Sequence, residues 1–253
     1  MPYLYKKKVL EAAITSSLLY GCESWLSGNI KEIDRLYIGA VKAMLGVRET
    51  TRSDTALIEA GMPSLKELID KRTVTFLRKE LSAERTLDTP LIKIYKICES
   101  KRTGGFRTLE NILNSVARNQ QSSLKENFSN ATTSKAVMYK RINPNLSLHE
   151  AYTTTKYVNE RERLAFTKFR LSSHHLKIET WRWARIAAED RVCDCGQGVQ
   201  DESHVLFLCP KTANVRERFG VIDQGFSDIG ELMCSLEVHK LVTFTFECMK
   251  IFE

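Results

Sequence analysis

The chain has 253 residues, 43% hydrophobic and 27% charged, enough for one large globular domain or two to three small ones. With 12 glycines and 5 prolines it is too poor in turn residues for a many-turned all-β fold. A formal charge of +7 and a pI near 9.0 suit a polyanion partner, and suit a soluble basic protein nearly as well.

Lys and Arg outnumber Asp and Glu in 1–48, 64–107 and 156–191, whereas acids outnumber bases in 192–253. A phosphate-binding surface is therefore expected on the segments before residue 192. No 18-residue apolar run exists, and the first apolar stretch is broken by Glu11, Thr15 and two serines, so neither a membrane span nor a signal peptide is expected. Seven cysteines in a chain of this size point to a reduced intracellular setting, where clustered thiols mean metal more often than disulfide.

In chain order, Lys6 to Tyr20 is helix-compatible and stops at Gly21. Asn29 with Glu32 forms a capping-box pattern, and Ile30, Ile33, Tyr37, Ala40 and Met44 share one face until Gly46. Ser64 with Glu67 repeats the box ahead of a helix to about Leu81. Thr89-Pro90 opens a helix through Cys98, because proline is tolerated at the first helical position. Thr103-Gly104-Gly105 is a candidate boundary, and 107–135 begins as an amphipathic helix and loses order. After the Asn143-Pro144-Asn145 turn, Ser147 with Glu150 offers a third box, and 148–190 reads as helical. Thr212 to Phe219 and Leu232 to Phe252 complete the helical pattern.

The segment 193–210 carries the sharpest chemistry. Cys193-x-Cys195-Gly196 is followed by His204, four intervening residues and Cys209-Pro210. Zinc takes four such ligands in a tetrahedron, and two local pairs are the common way to supply them. Ser203 or Asp201 can cap the short helix that carries His204. On an ideal helix Cys209 would point about 140° away from His204, so the backbone must unwind there. A closed Cys3His set leaves no position for water or substrate and is structural. Cys22, Cys98 and Cys248 read as core residues, a reading that Cys234 also allows.

Upstream lies a basic-aromatic stretch. Lys168, Arg170, His174, Lys177, Trp181, Arg182, Trp183 and Arg185 are the candidate nucleic-acid contacts, cations for phosphates and indoles for unpaired bases. Such a stretch beside a small zinc module suits single-stranded or irregular RNA. Individually, Phe166, Phe169 and one tryptophan read more readily as core anchors. Lys6-Lys7-Lys8 and Arg78-Lys79 are weaker candidates.

Two stretches resemble one family. Leu18-Leu19-Tyr20-Gly21-Cys22-Glu23-Ser24-Trp25, with the helix to Leu45-Gly46, resembles the start of the thumb in reverse transcriptases of non-LTR (LINE-type) retrotransposons. Arg170 to Cys209, with Trp181-Arg182-Trp183 and the Cys3His spacing, resembles their C-terminal CCHC zinc-binding module. The matches cover about half the chain in the family's order. The catalytic Asp-Asp of the palm has no counterpart, and neither an endonuclease nor a ribonuclease H carboxylate set is found.

The resemblance implies the C-terminal part of such an enzyme: a mostly α protein with a helical thumb-like domain (1–85), a helical connector (86–155) and basic helices with a zinc module (156–253, zinc core 193–209). Expected partners are RNA or DNA and the palm of a full-length element protein, the metal is structural Zn2+, and the site of action is nuclear. The rival expectation is a zinc-stabilised helical module that binds proteins, its basic faces merely solvated.

Overall fold

The computed structural model describes residues 2–24, 30–82, 93, 121–154, 158–222 and 224–253. The described part is mostly helical, as expected; its β pairing is a single isolated antiparallel bridge between Val192 and Val199. No described helix is long and apolar enough to cross a membrane.

Helix α1 (Tyr3–Val9) continues through a wider, π-wound stretch Leu10–Thr15 and the short turn Ser16–Leu18, ending at Gly21 with φ +66°. Helix α2 (Lys31–Leu45) closes at Gly46, where the Val47 N–H reaches back to the Lys42 carbonyl at 3.1 Å, the 6→1 bond of a Schellman stop. Asn29, the expected cap of this helix, lies outside the described residues. Helix α3 (Ser53–Glu59) precedes α4 (Leu65–Ser82), whose capping box forms as the sequence predicts. The Glu67 carboxylate accepts from the Ser64 N–H at 2.8 Å, and Ser64 Oγ accepts from the Glu67 N–H at 3.2 Å. Such a cap contributes about 1 kcal/mol.

Helices α5 (Gln121–Ser129) and α6 (Ser134–Ile142) follow. Together with α1 to α4 they build a first core around Tyr37, Val41, Leu45, Leu57, Ile58 and Phe128. The expected Thr89-Pro90 helix, the Thr103-Gly104-Gly105 boundary and the 107–118 helix lie outside the described residues.

The box at Ser147 and Glu150 does not form. Asn143 captures Ser147 with both ends of its amide, accepting from the Ser147 N–H at 3.1 Å and donating to the Ser147 carbonyl at 2.9 Å. Only a 3-10 turn, Glu150–Tyr152, follows, and His149 caps it. The helix begins later, as α7 (Glu160–Arg170), capped by Asn159. Expected helix over 148–190 is thus realised mainly in α7 and the short α8 (Lys177–Thr180).

The C-terminal elements α9 (Ala213–Arg218), α10 (Ile229–Ser235) and α11 (Val238–Lys250) enclose a second core with Phe166, Phe169, Leu206, Leu232, Leu241 and Phe244. Helix α7 serves both cores. Phe166 and Phe169 face the second, while Arg163 lies over the rings of Tyr3 and Tyr152 and Arg170 reaches Glu59 in the first.

Candidate metal centre

Two local backbone devices aim four ligands at one point. In the first, Val192 and Val199 pair, the Cys193 N–H donates to the Gly198 carbonyl at 2.7 Å, and the Gly196 N–H donates to the Cys193 carbonyl at 2.9 Å. The reversal needs φ +74° at Gly196, a conformation that costs an L-residue roughly 1–2 kcal/mol. Cys193 and Cys195 thereby point to the same side.

The second device resolves the angular mismatch between His204 and Cys209. His204–Leu208 is wound as a π turn, and the Cys209 N–H donates to the His204 carbonyl at 2.7 Å. Closing this i→i+5 turn brings Cys209, five residues on, nearer the face of His204 than ideal α geometry would. Asp201 supplies the cap, its Oδ1 accepting from the His204 N–H at 2.7 Å. Pro210 then begins a 3-10 turn, and Thr212 Oγ donates to the carbonyls of Val205 and Cys209 at 2.7 and 3.0 Å, holding the exit.

The ligand atoms of Cys193, Cys195, His204 and Cys209 all lie within 4.8 Å of one another. Cys193 Sγ and Cys209 Sγ are 3.8 Å apart, far from a disulfide bond of about 2.05 Å. That spacing equals the edge of a tetrahedron with metal–sulfur bonds of about 2.3 Å. Cys195 Sγ and His204 Nε2, at 3.2 Å, sit a few tenths of an ångström inside the corresponding edge. The quartet can hold a metal ion. Burial, then the neighbouring thiols, push the Cys209 thiol up to about 11, so ion binding there displaces a proton.

Sequence reading missed Gln200. Buried beside the quartet, its Nε2 lies 3.8 Å from Cys193 Sγ while its Oε1 accepts from the Lys177 N–H at 2.9 Å. It is the amide that orients a ligand sulfur and ties α8 to the knuckle, the supporting role that metal sites commonly need. Nothing in its local sequence marks it.

The basic-aromatic residues divide sharply. Arg170 is 1% exposed, its Nε and Nη2 donating to Glu59 at 2.6 and 3.1 Å. His174 is 2% exposed and its Nε2 is 2.9 Å from Glu202 Oε1. Neither reaches the surface, which corrects their assignment to nucleic-acid contact: each charged or polar head has a buried carboxylate partner. Lys168 is half-buried on α7. Lys177 pairs with Asp194, donates to the Val192 carbonyl at 3.0 Å and lies 4.6 Å over the half-buried Trp181 ring.

The exposed members cluster on the turn after α8. Trp183 is 63% exposed, between Arg182 and Arg185, both also exposed. Arg191 braces that turn from inside, donating to the carbonyls of Ile178 at 2.6 Å and Ile186 at 2.6 and 3.1 Å. Among the remaining cysteines, Cys22 and Cys248 are core residues as expected, Cys234 is exposed instead of in the core, and Cys98 lies outside the described residues. Comparison of the chain with protein-family models, with curated proteins and with solved structures finds no match in any of the three.

Proposed function

We propose that Cys193, Cys195, His204 and Cys209 hold one structural zinc ion and that the module they organise grips nucleic acid. The soft, closed Cys3His donor set favours zinc over harder cations. One observation carries the binding surface: an exposed indole, Trp183, stands between Arg182 and Arg185 on a turn that Lys177 and Arg191 fasten to the Cys3His segment. An aromatic face flanked by guanidinium groups stacks an unpaired base and neutralises its phosphates. The contact set is therefore Trp181, Arg182, Trp183 and Arg185, with Lys168 and Lys177 at its margin.

In this reading the chain is the thumb-to-zinc portion of a non-LTR retrotransposon reverse transcriptase. It acts in the nucleus on element RNA or template–primer, and a palm supplies the catalytic carboxylates. Support comes from the order of the parts, helical elements first, basic helix and Trp-Arg-Trp turn next, then the Cys3His quartet, with α9 to α11 after it.

The test is filter binding of single-stranded RNA by the zinc-loaded chain across a salt series. Affinity should fall with salt, each lost phosphate contact lowering the log–log slope by about 0.7. Trp183→Ala should lose about 1–3 kcal/mol with the fold intact. Salt-independent affinity, or no response to Trp183→Ala combined with Arg182→Glu and Arg185→Glu, would overturn the proposal and favour a protein-binding module.

A further inference from the structure

The three sulfurs of the quartet differ in access. Cys195 is half-buried, whereas Cys193 is 3% and Cys209 0% exposed. An oxidant arriving from solvent therefore meets Cys195 first. Its sulfur lies within 4.8 Å of the other ligand atoms, a gap that rotation about χ1 can close to the bonded length of about 2.05 Å. The two possible sulfur partners are not equivalent. Cys193 sits across the tight turn that the Gly196 N–H closes on the Cys193 carbonyl at 2.9 Å, and a bridge there would be confined to a small, strained ring. Cys209 approaches from a separate element, the turn that carries His204.

We propose that hydrogen peroxide joins Cys195 to Cys209 in a disulfide and so discharges the metal, which makes the quartet a reversible redox switch. The inference rests on the zinc reading and concerns the regulation of that same site. Bound zinc keeps the ligand sulfurs as thiolates, their nucleophilic form. First, the Cys195 thiolate attacks peroxide: an S–O bond forms, the O–O bond breaks, hydroxide leaves and the sulfur gives up two electrons. Next, the Cys209 thiolate attacks that sulfenic sulfur: the S–S bond forms, the S–O bond breaks and a second hydroxide leaves. Two thiolates and one peroxide thus give one disulfide and two hydroxides, which solvent protons convert to water. Cys193 and His204 then remain as donors, where a closed tetrahedral site takes four. A resolving thiol this near also stops Cys195 short of the sulfinic stage, which thiol reductants do not reverse.

The test titrates the zinc-loaded chain with hydrogen peroxide while a chromogenic chelator reports free zinc. One zinc should appear per peroxide consumed, and dithiothreitol with fresh zinc should restore the loaded form. Cleavage before Asp194 and Asp201 places Cys193, Cys195 and Cys209 on three different peptides, so mass spectrometry identifies the bridge directly. The peptides of Cys195 and Cys209 should be joined, with the Cys193 thiol free to alkylate. Cys234→Ser, which removes an exposed cysteine outside the quartet, should release zinc at the same rate as wild type. Zinc retained while Cys234 is oxidised, Cys195 recovered as a sulfinic acid on an unlinked peptide, or a bridge from either cysteine to any other would overturn the proposal. A chain that carries no zinc before peroxide is added would instead sink the metal reading, and this inference with it.

Discussion

Replacing Glu59 by Gln is the most informative single perturbation of this fold. Glu59 is wholly buried at the end of α3 and accepts four hydrogen bonds: two from Arg170 (2.6 and 3.1 Å), one from Tyr139 at 2.7 Å and one from Tyr152 at 2.6 Å. A glutamine amide in that position would confront those donors with two N–H groups and leave a buried guanidinium uncompensated. Removing one partner of a buried pair costs about 3–5 kcal/mol. For a chain of this size that lowers Tm by about 10 °C, at about 2–4 °C per kcal/mol. Urea denaturation gives the free energy directly.

The double variant Glu59→Leu with Arg170→Met should recover most of the loss. Tyr152 can still donate to Thr167 Oγ at 2.9 Å, whereas Tyr139 keeps only the N–H that Asn143 Nδ2 donates to it at 3.0 Å, and its own proton, left without that carboxylate, is the part of the loss not recovered. The pH dependence has a definite sign. Burial works to raise the Glu59 carboxyl, but the Arg170 charge and the bonds from Arg170, Tyr152 and Tyr139 hold it below its ordinary 4.5. A depressed carboxyl stabilises fully above the unfolded value and loses that contribution as pH falls through the folded one. The gap between wild type and Glu59→Gln should therefore be widest above pH 4.5 and narrow below it. A gap under about 1 kcal/mol at pH 7, or one that widens on acidification, would refute the reasoning.

Two further outcomes are expected. Cobalt loading should give one ion per chain with the thiolate charge-transfer and visible bands of a tetrahedral sulfur-rich site, and Cys209→Ser should lose them while keeping the helical content of the first core; circular dichroism and absorption check both. Gly230→Ala should destabilise by about 1–3 kcal/mol in urea titrations, because a Cβ there would meet the Arg141 carbonyl oxygen at 2.6 Å, where α6 abuts α10.

Local signals in the sequence were legible wherever the partner lies within a few residues. The Ser64–Glu67 box, the stops at Gly21 and Gly46 and the approach of the four Cys3His side chains all formed, the first three decided by spacing along one turn and the last by two such turns. The same Ser-x-x-Glu pattern at Ser147 failed because Asn143, four residues upstream, competed for the backbone it would have capped. Arg170 and His174 were misread for a related reason. Their carboxylates, Glu59 and Glu202, lie 111 and 28 residues away, and a count of positive charge carries no record of such partners. Gln200 was invisible because its contribution is one amide bridging two elements.

These misread residues explain how the exposed turn is aimed. The link between α7 and α8 is held from two sides. Arg48, just after α2, donates its N–H to Ser173 Oγ at 3.0 Å and its Nη2 to the His174 carbonyl at 2.8 Å. From the other side Glu202, at the head of the turn that carries His204, binds the His174 ring. The link therefore joins the first core to the turn that carries His204, and Trp183 projects from the turn that follows α8. Loss of the metal would release Glu202 together with its turn and leave the Arg48 contacts standing. The Trp-Arg turn should then lose orientation before the first core loses stability, so nucleic-acid affinity, on the reading proposed here, is the property most sensitive to the metal and the global free energy of unfolding of the first core the least.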